Sequence, residues 1–283
     1  MKRSRLIAGI TGLVIMAAGV GLLGYEGASY IRDRKAREKE LEAALREPDI
    51  RQEEKTELLR ETEKAPEAAV NADKEEEQSE APVQEEKEPY VSKIDFEALW
   101  DINTDIYAYI EIDGTDISYP VLQSVTNDGY YLNHTPEGKS GRPASIFTLK
   151  ADSRDFTDFN TVIYGHNMKN GLMFGKLKEY RDEEYLDSHR TIRIYLPDRE
   201  LVYKVFAAVV YDDRLITSYY KNDDPEACAR YLDSIYGNRD INSHVLKDTE
   251  VTEEDRIITL STCVRGQMDA RYLIVAVLTD EIT

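Results

Sequence analysis

Seven runs rich in β-branched and aromatic residues punctuate the chain between residues 107 and 279: YAYIEI (107–112), TDISYPVLQ (115–123), TVIYGH (161–166), TIRIYLP (191–197), LVYKVFAAVVY (201–211), RIITLSTC (256–263) and RYLIVAVLT (271–279). Such side chains fit a pleated, half-buried surface, so each run reads as a strand. YAYIEI leads into Asp113-Gly114, a dipeptide favoured in tight hairpin turns. Pro120 has no backbone N–H to give to a ladder and predicts an edge or a bulge in the second run. GLMFGKLKEY (171–180) and DPEACARYLDSIYG (224–237) read as helices, and Phe96 to Trp100 as a short one. Strands dominate and helices are inserted between them. The expected fold is mainly β: a closed, mixed, mainly antiparallel barrel of about eight strands, with an N-terminal helix and a helix inserted before the penultimate strand.

The first 88 residues follow different rules. Leu6 to Gly24 is an uncharged run of 19 residues. At 1.5 Å per residue its length nearly matches a hydrocarbon core of roughly 30 Å. Lys2, Arg3 and Arg5 precede it and favour a cytoplasmic N-terminus. Arg32, Arg34, Lys35 and Arg37 follow it and weaken that signal. A cleaved signal peptide is the competing reading, because GLLGYEGAS contains the small residues a cleavage site needs. Residues 32–88 carry 12 basic and 20 acidic side chains and few apolar ones. They read as a charged helix to residue 63 and a disordered stem beyond it, since too little apolar surface is present to offset ordering entropy. Three segments are expected: a membrane anchor with its flanks (1–31), a charged stem (32–88) and a folded domain (89–283). The expected location is the cell membrane, crossed once through residues 6–24, with the folded domain outside the cell.

The formal net charge of -19 argues against a nucleic-acid partner, because nothing here would neutralise phosphates. The two cysteines, Cys228 and Cys263, lie far apart, and no C-x-x-C or H-E-x-x-H pattern exists, so a disulfide scaffold or a metal site is not expected. No cofactor is expected either.

Side chains alternate along a strand, so Thr259, Ser261 and Cys263 share one face at the end of RIITLSTC, a position that suits the mouth of a barrel. From the motif alone, a reactive thiol and a buried structural cysteine are equally open readings. Cys228 is the control: with Tyr231, Leu232 and Ile235 it forms the i, i+3, i+4, i+7 stripe of an amphipathic helix, which marks a packed thiol. Of the four histidines, His134, His189 and His244 fall in loops or turns, whereas His166 follows directly on the run TVIY and Gly165. Arg271 opens the last run, so a short loop would bring it near Cys263; Arg265 is a nearer rival in sequence.

The TLSTC strand end, the YGH strand end and the arginine that follows together resemble the signature of sortases. YAYIEIDGTDISYPVLQ and the YYLNH and GRPASIF segments are similar too, and residues 212–255 resemble the insertion of class B sortases. The likeness covers roughly residues 93–283. It implies Cys263 as nucleophile, His166 as proton-transfer partner and Arg271 as oxyanion stabiliser, with Leu132, Tyr164, Ser261, Tyr219 and Tyr220 along a substrate groove. A class B asparagine usually stands one step closer to the YYL segment than Asn127 does, which departs from the pattern. The implied reaction is cleavage of a C-terminal sorting signal of the NPxTN or NPxTG kind after its threonine. A thioacyl enzyme forms, and the surface protein is transferred to an amine of a cell-wall precursor like lipid II. The alternatives are a pilin-polymerising sortase with a lysine acceptor, a cysteine hydrolase, and a tethered surface-binding module without catalysis.

Overall fold

A computed structural model describes residues 90–267 and 269–283. The elements are α1 (Phe96–Ile102), β1 (Ile106–Ile112), β2 (Ser118–Leu122), a 3-10 turn (Tyr130–Leu132), β3 (Ile146–Phe147), β4 (Asn160–Tyr164), a second 3-10 turn (Leu177–Arg181), α2 (Glu183–Ser188), β5 (Thr191–Tyr195), β6 (Glu200–Asp212), α3 (Ile216–Tyr219), α4 (Pro225–Tyr236), β7 (His244–Val245), β8 (Ile257–Cys263) and β9 (Ala270–Ile282). The sheet runs β5-β1-β2-β3-β4-β8-β9-β6-β7, and β5 also pairs with β6. That extra pairing closes eight of the nine strands into a barrel and leaves β7 as an addition on β6. Closure removes the sheet edges that would otherwise present unpaired backbone groups. β2–β3 and β4–β8 are parallel and the other pairs antiparallel, so the mixed barrel with inserted helices is observed as expected.

The strand readings hold with small shifts of their ends. Gly114 sits at φ +77 in the β1–β2 turn, a conformation an L side chain rarely adopts. Pro120 pairs with Tyr109 of β1, while β3 pairs only from Val121 onward, so β2 is an edge at that residue.

Apolar residues divide over the two faces of the barrel wall. Ile110, Ile163, Leu260 and Ile274 are fully buried in the interior cluster. Val162, Leu273 and Val275 face outward, into a second cluster with Cys228, Tyr231, Leu232 and Ile235 of α4. The sequence explains α4: the Asp224 side chain caps its first turn by accepting from Glu226 N and Ala227 N at 3.1 and 3.2 Å, and Pro225 opens it. A third cluster of Phe96, Leu99, Ile106, Tyr131 and Phe147 seals the barrel under α1.

Two expectations are corrected. GLMFGKLKEY is not a helix. Gly171 and Met173 both have positive φ (+83 and +56), and a Cβ on Gly175 would lie 2.4 Å from Met168 O. The segment is a tight turn that plugs Leu172, Met173 and Phe174 into the interior core, followed by the second 3-10 turn. The expected membrane location is also corrected. Among the described residues no helix is long and apolar enough to cross a membrane. The run 6–24 that carried the expectation, and the segments 1–31 and 32–88, lie outside the described residues.

Cys228 is 2% exposed, with Sγ 3.6 Å from Lys221 O and 3.7 Å from Asn222 O. Cys228→Ala therefore leaves a small cavity under α4. It should lower stability by about 1 kcal/mol in urea unfolding while leaving the reactivity of Cys263 unchanged.

Candidate active site

β8 is buried along its whole length except at its last residue, Cys263, which is exposed and free. Thr259, Ser261 and Cys263 share the outward face, the side covered by α4, rather than the interior of the barrel. The two inner members of the row are polar and buried, so their hydroxyls need partners. Thr259 donates to Asn160 Oδ1 at 2.9 Å and meets the Tyr231 hydroxyl of α4 at 2.7 Å. The row thus passes beneath the inserted helix and emerges only at the thiol. The thiol therefore stands at the exposed end of the outer face of β8, not in the barrel interior.

Arg271 is the cross-strand partner of Cys263 in the β8–β9 ladder, so the two side chains stand side by side on one face. On its other flank Arg271 pairs with Tyr211 of β6. Its Nη1 donates to Ala270 O at 3.0 Å. Arg265 is exposed in the turn beyond β8.

His166 arrives from the opposite side through the parallel β4–β8 pair. Tyr164 is in register with Ser261, and Gly165 N donates to Ser261 O at 3.1 Å. Two residues further along each strand stand His166 and Cys263. Thr262 Oγ1 donates to Gly165 O, and Asn167 Nδ2 to Cys263 O, both at 2.8 Å, which ties the two strand ends together. Gly165 is required for close approach: a Cβ there would lie 2.5 Å from Ile146 and 2.6 Å from Phe174 side-chain atoms.

The imidazole is held by the backbone of the β2–β3 loop. His166 Nε2 lies 2.7 Å from Leu132 O. A carbonyl only accepts, so Nε2 carries the hydrogen. Burial pushes the His166 pKa below its ordinary value; the Leu132 bond opposes that fall and the Arg142 charge adds to it. The ring is therefore mainly neutral at neutral pH.

The expected groove residues are distributed unevenly. Leu132 is exposed, and its carbonyl makes the contact with His166. Ser261 is buried two residues before the thiol. The Tyr164 hydroxyl is buried without a well-formed hydrogen bond among the described residues, as is that of Thr217 in α3. Burial raises the Tyr164 pKa and Asp152 adds to the rise, while the Arg271 charge and a side-chain hydrogen bond with Thr217 counter it. Tyr219 is exposed, with Arg214 stacked over its ring. Tyr220 is buried, its hydroxyl 3.0 Å from that of Tyr211. Asn127 is turned inward on its own loop, accepting from Gly129 N.

Sequence reasoning missed Asn167, Thr217 and Tyr211. Asn167 follows YGH directly, and its adjacency was the only available signal. Thr217 and Tyr211 are brought in by sheet register and by the packing of α3. Among the described residues no group of three His, Cys, Asp or Glu side chains is placed to hold a metal ion.

A family model, the sortase domain, matches residues 110–279. Sortase B of Listeria monocytogenes (serovar 1/2a, strain ATCC BAA-679 / EGD-e) is 37% identical over 167 residues, which is 58% of this chain and 65% of that protein, just under two thirds of its length. Sortase B of Staphylococcus aureus (strain NCTC 8325 / PS 47) is 34% identical over 184 residues, 64% of this chain and 72% of that one. A Staphylococcus aureus sortase B–substrate complex superposes with a TM-score of 0.57 at 30% identity, covering 65% of this chain and 84% of that one. With a family match that reaches from β1 into β9 and relatives of a single class, this chain belongs to the sortase family of cysteine transpeptidases, alongside its class B members.

Proposed function

We propose that the chain cleaves the C-terminal sorting signal of a surface protein, of NPxTN or NPxTG type, after its threonine, and transfers the new acyl end to an amine of a cell-wall precursor like lipid II. Residues 89–283 are the catalytic domain in this reading. The observation that carries it is the exposed thiol of Cys263 at the end of an otherwise buried strand, cross-strand from Arg271 and beside the strand end bearing His166. A structural cysteine would have been covered, as Cys228 is.

The chemistry follows from that arrangement. An unperturbed thiol ionises near pH 8.5, roughly, so a base or a positive charge must help it at neutral pH. Neutral His166 accepts the thiol proton, and the thiolate of Cys263 attacks the carbonyl after the threonine. The Arg271 guanidinium faces the oxyanion that develops. His166 returns its proton to the leaving amine, leaving a thioacyl enzyme. The acceptor amine then attacks, loses its proton to His166 and releases Cys263. In this reading Tyr164, Thr217 and Ser261 lie along the bound peptide beneath the thiol, and the buried hydroxyls of Tyr164 and Thr217, which face one another, can turn to its polar groups. Leu132 and Tyr219 form the rim of the groove, and Tyr220, which is buried, packs against Tyr219.

Incubating the 89–283 fragment with sorting-signal peptides and candidate amines, then identifying products by mass, tests the reading. Cleaved peptide joined to the amine is expected, and Cys263→Ala should abolish both cleavage and transfer without loss of fold. Release to water alone, with amine present, would indicate a hydrolase. Transfer only to a lysine side chain would indicate a pilin-type acceptor.

Arg271→Lys should lower kcat by roughly a hundred- to a thousandfold, about 3–4 kcal/mol, with peptide affinity little changed. A planar fork of donors cannot be replaced by a point charge at the same geometry. Arg265→Lys should be tolerated. Equal loss in both variants would overturn the assignment of Arg271.

His166 also predicts a pH dependence of stability. Its folded pKa lies below the unfolded value, so on acidification the unfolded chain takes up this proton first. The contribution is present above about pH 6.5 and is lost as pH falls through the interval between the two values. Urea unfolding of the wild type against His166→Asn should show the wild type losing relative stability as pH falls below about 6.5. An unchanged difference would contradict the burial of a neutral imidazole.

A further inference from the structure

We propose that Tyr131, Asp105 and Asn103 are positioning residues that hold the Leu132 carbonyl on His166 and so set which imidazole nitrogen exchanges protons. This rests on the reading of His166 as the proton-transfer group. Leu132 itself is exposed and in a loop, yet its carbonyl is the partner of the one ring nitrogen whose hydrogen is assigned. A carbonyl in a loose loop could not fix a tautomer. This one is not loose, because the residue before it is anchored deep in the molecule.

Tyr131 is 2% exposed and packs in the cluster under α1 with Phe96, Leu99 and Ile106. Its hydroxyl donates to Asp105 Oδ2 at 2.7 Å and accepts from Asn103 Nδ2 at 2.8 Å. Asn103 Nδ2 also donates to Pro136 O at 2.7 Å, and Asn103 Oδ1 accepts from Asp105 N at 2.9 Å. Both partners flank the start of β1, a rigid barrel strand. The Tyr131 carbonyl accepts from Ser145 N at 3.3 Å, at the entry to β3. On the near side the Tyr130 and His134 rings stack at 3.9 Å, with His134 Nδ1 2.7 Å from Tyr130 O. The 3-10 turn is thus pinned on both sides of Leu132. A continuous path of hydrogen bonds and one peptide unit joins the start of β1 to the imidazole.

With Nε2–H committed to Leu132, Nδ1 is the nitrogen that gains and loses the proton during turnover. The charge that acts on the ring is Arg142 from the same loop, while Cys263 of β8 and Arg271 of β9 stand at the adjoining strand ends. None of them belongs to the Tyr131 network. Tyr131→Phe alters no charge, so its effect reaches His166 through the Leu132 bond; Asp105 also faces Arg154 at 4.0 Å, which is why Asp105→Ala is paired with Asp105→Asn.

The test uses the full chain with 15N-labelled histidine. Tyr131→Phe keeps the ring in its cluster and removes only the hydroxyl. It should weaken the Nε2–H signature of His166 in the nitrogen spectrum and move the His166 titration to lower pH, since the Leu132 bond favours the protonated ring. In peptide transfer it should lower kcat about tenfold with little change in KM, because a misplaced group costs rate rather than binding. Asp105→Ala should do the same. Asp105→Asn keeps an oxygen for the tyrosine and should restore both the spectrum and the rate to near wild type. His166 resonances in Tyr131→Phe and Asp105→Ala that superpose on the wild type would overturn the proposal. Unlike the turnover arm, the spectrum needs no substrate. A wild type that transfers no peptide, with spectra that shift as expected, would sink the catalytic reading and leave the positioning network standing.

Discussion

The parallel pairing of β4 with β8 is the constraint on which the rest depends. Parallel strands cannot be joined by a hairpin, so a long crossover separates them, here including β5, β6, the inserted helices and β7. Parallel direction also means that both strands end on the same side of the barrel. His166 and Cys263, nearly a hundred residues apart, come off those two ends together. β9 then runs antiparallel to β8 and begins where β8 stops, so Arg271 is delivered to the same row. A one-residue slip in either pairing would turn one of the three side chains into the barrel core, and the well-packed interior of Ile163, Leu260 and Ile274 opposes such a slip.

The inserted segment after β6 has a second task beyond covering apolar surface. β8 carries Thr259 and Ser261 on its outer face, and leaving these polar groups buried without partners would be costly. Asn160 and the Tyr231 hydroxyl on α4 complete the bonding of Thr259. The same helix buries Cys228, Leu232 and Ile235 against Leu273 and Val275. The outer face of β8 is therefore covered by α4, and its Thr259 is satisfied there. Tyr164 and Thr217 are buried with no well-formed hydrogen bond, and the exposed thiol of Cys263 stands at the end of the neighbouring strand β8.

Much of this was legible from the chain alone because its signals are local. Alternation and β-branching mark the strands, and the i, i+3, i+4, i+7 stripe marks α4 and separates Cys228 from Cys263. The GLMFGKLKEY segment misled for a physical reason. Its apolar residues do face the core, but Gly171, Met173 and Gly175 are held in a compact turn by contacts with Met168 and the barrel interior, and no local pattern reports such contacts. The groove tyrosines were harder still. Tyr219 and Tyr220 are neighbours in sequence, yet one is exposed and the other buried, because α3 is a single short turn whose orientation is set by packing.

The sequence by itself determined the strand-dominated fold, the identity of the three candidate reactive groups and the packed nature of Cys228, since each depends on residue type and short-range spacing. Only the tertiary structure decided that the thiol lies at the end of the outer face of β8 and not inside the barrel, and that Asn167 rather than Asn127 meets the strand of Cys263. It also decided that Leu132 acts through its carbonyl on His166. Those outcomes depend on which strands pair, in which direction and register, and on backbone atoms that every residue shares and no sequence pattern distinguishes.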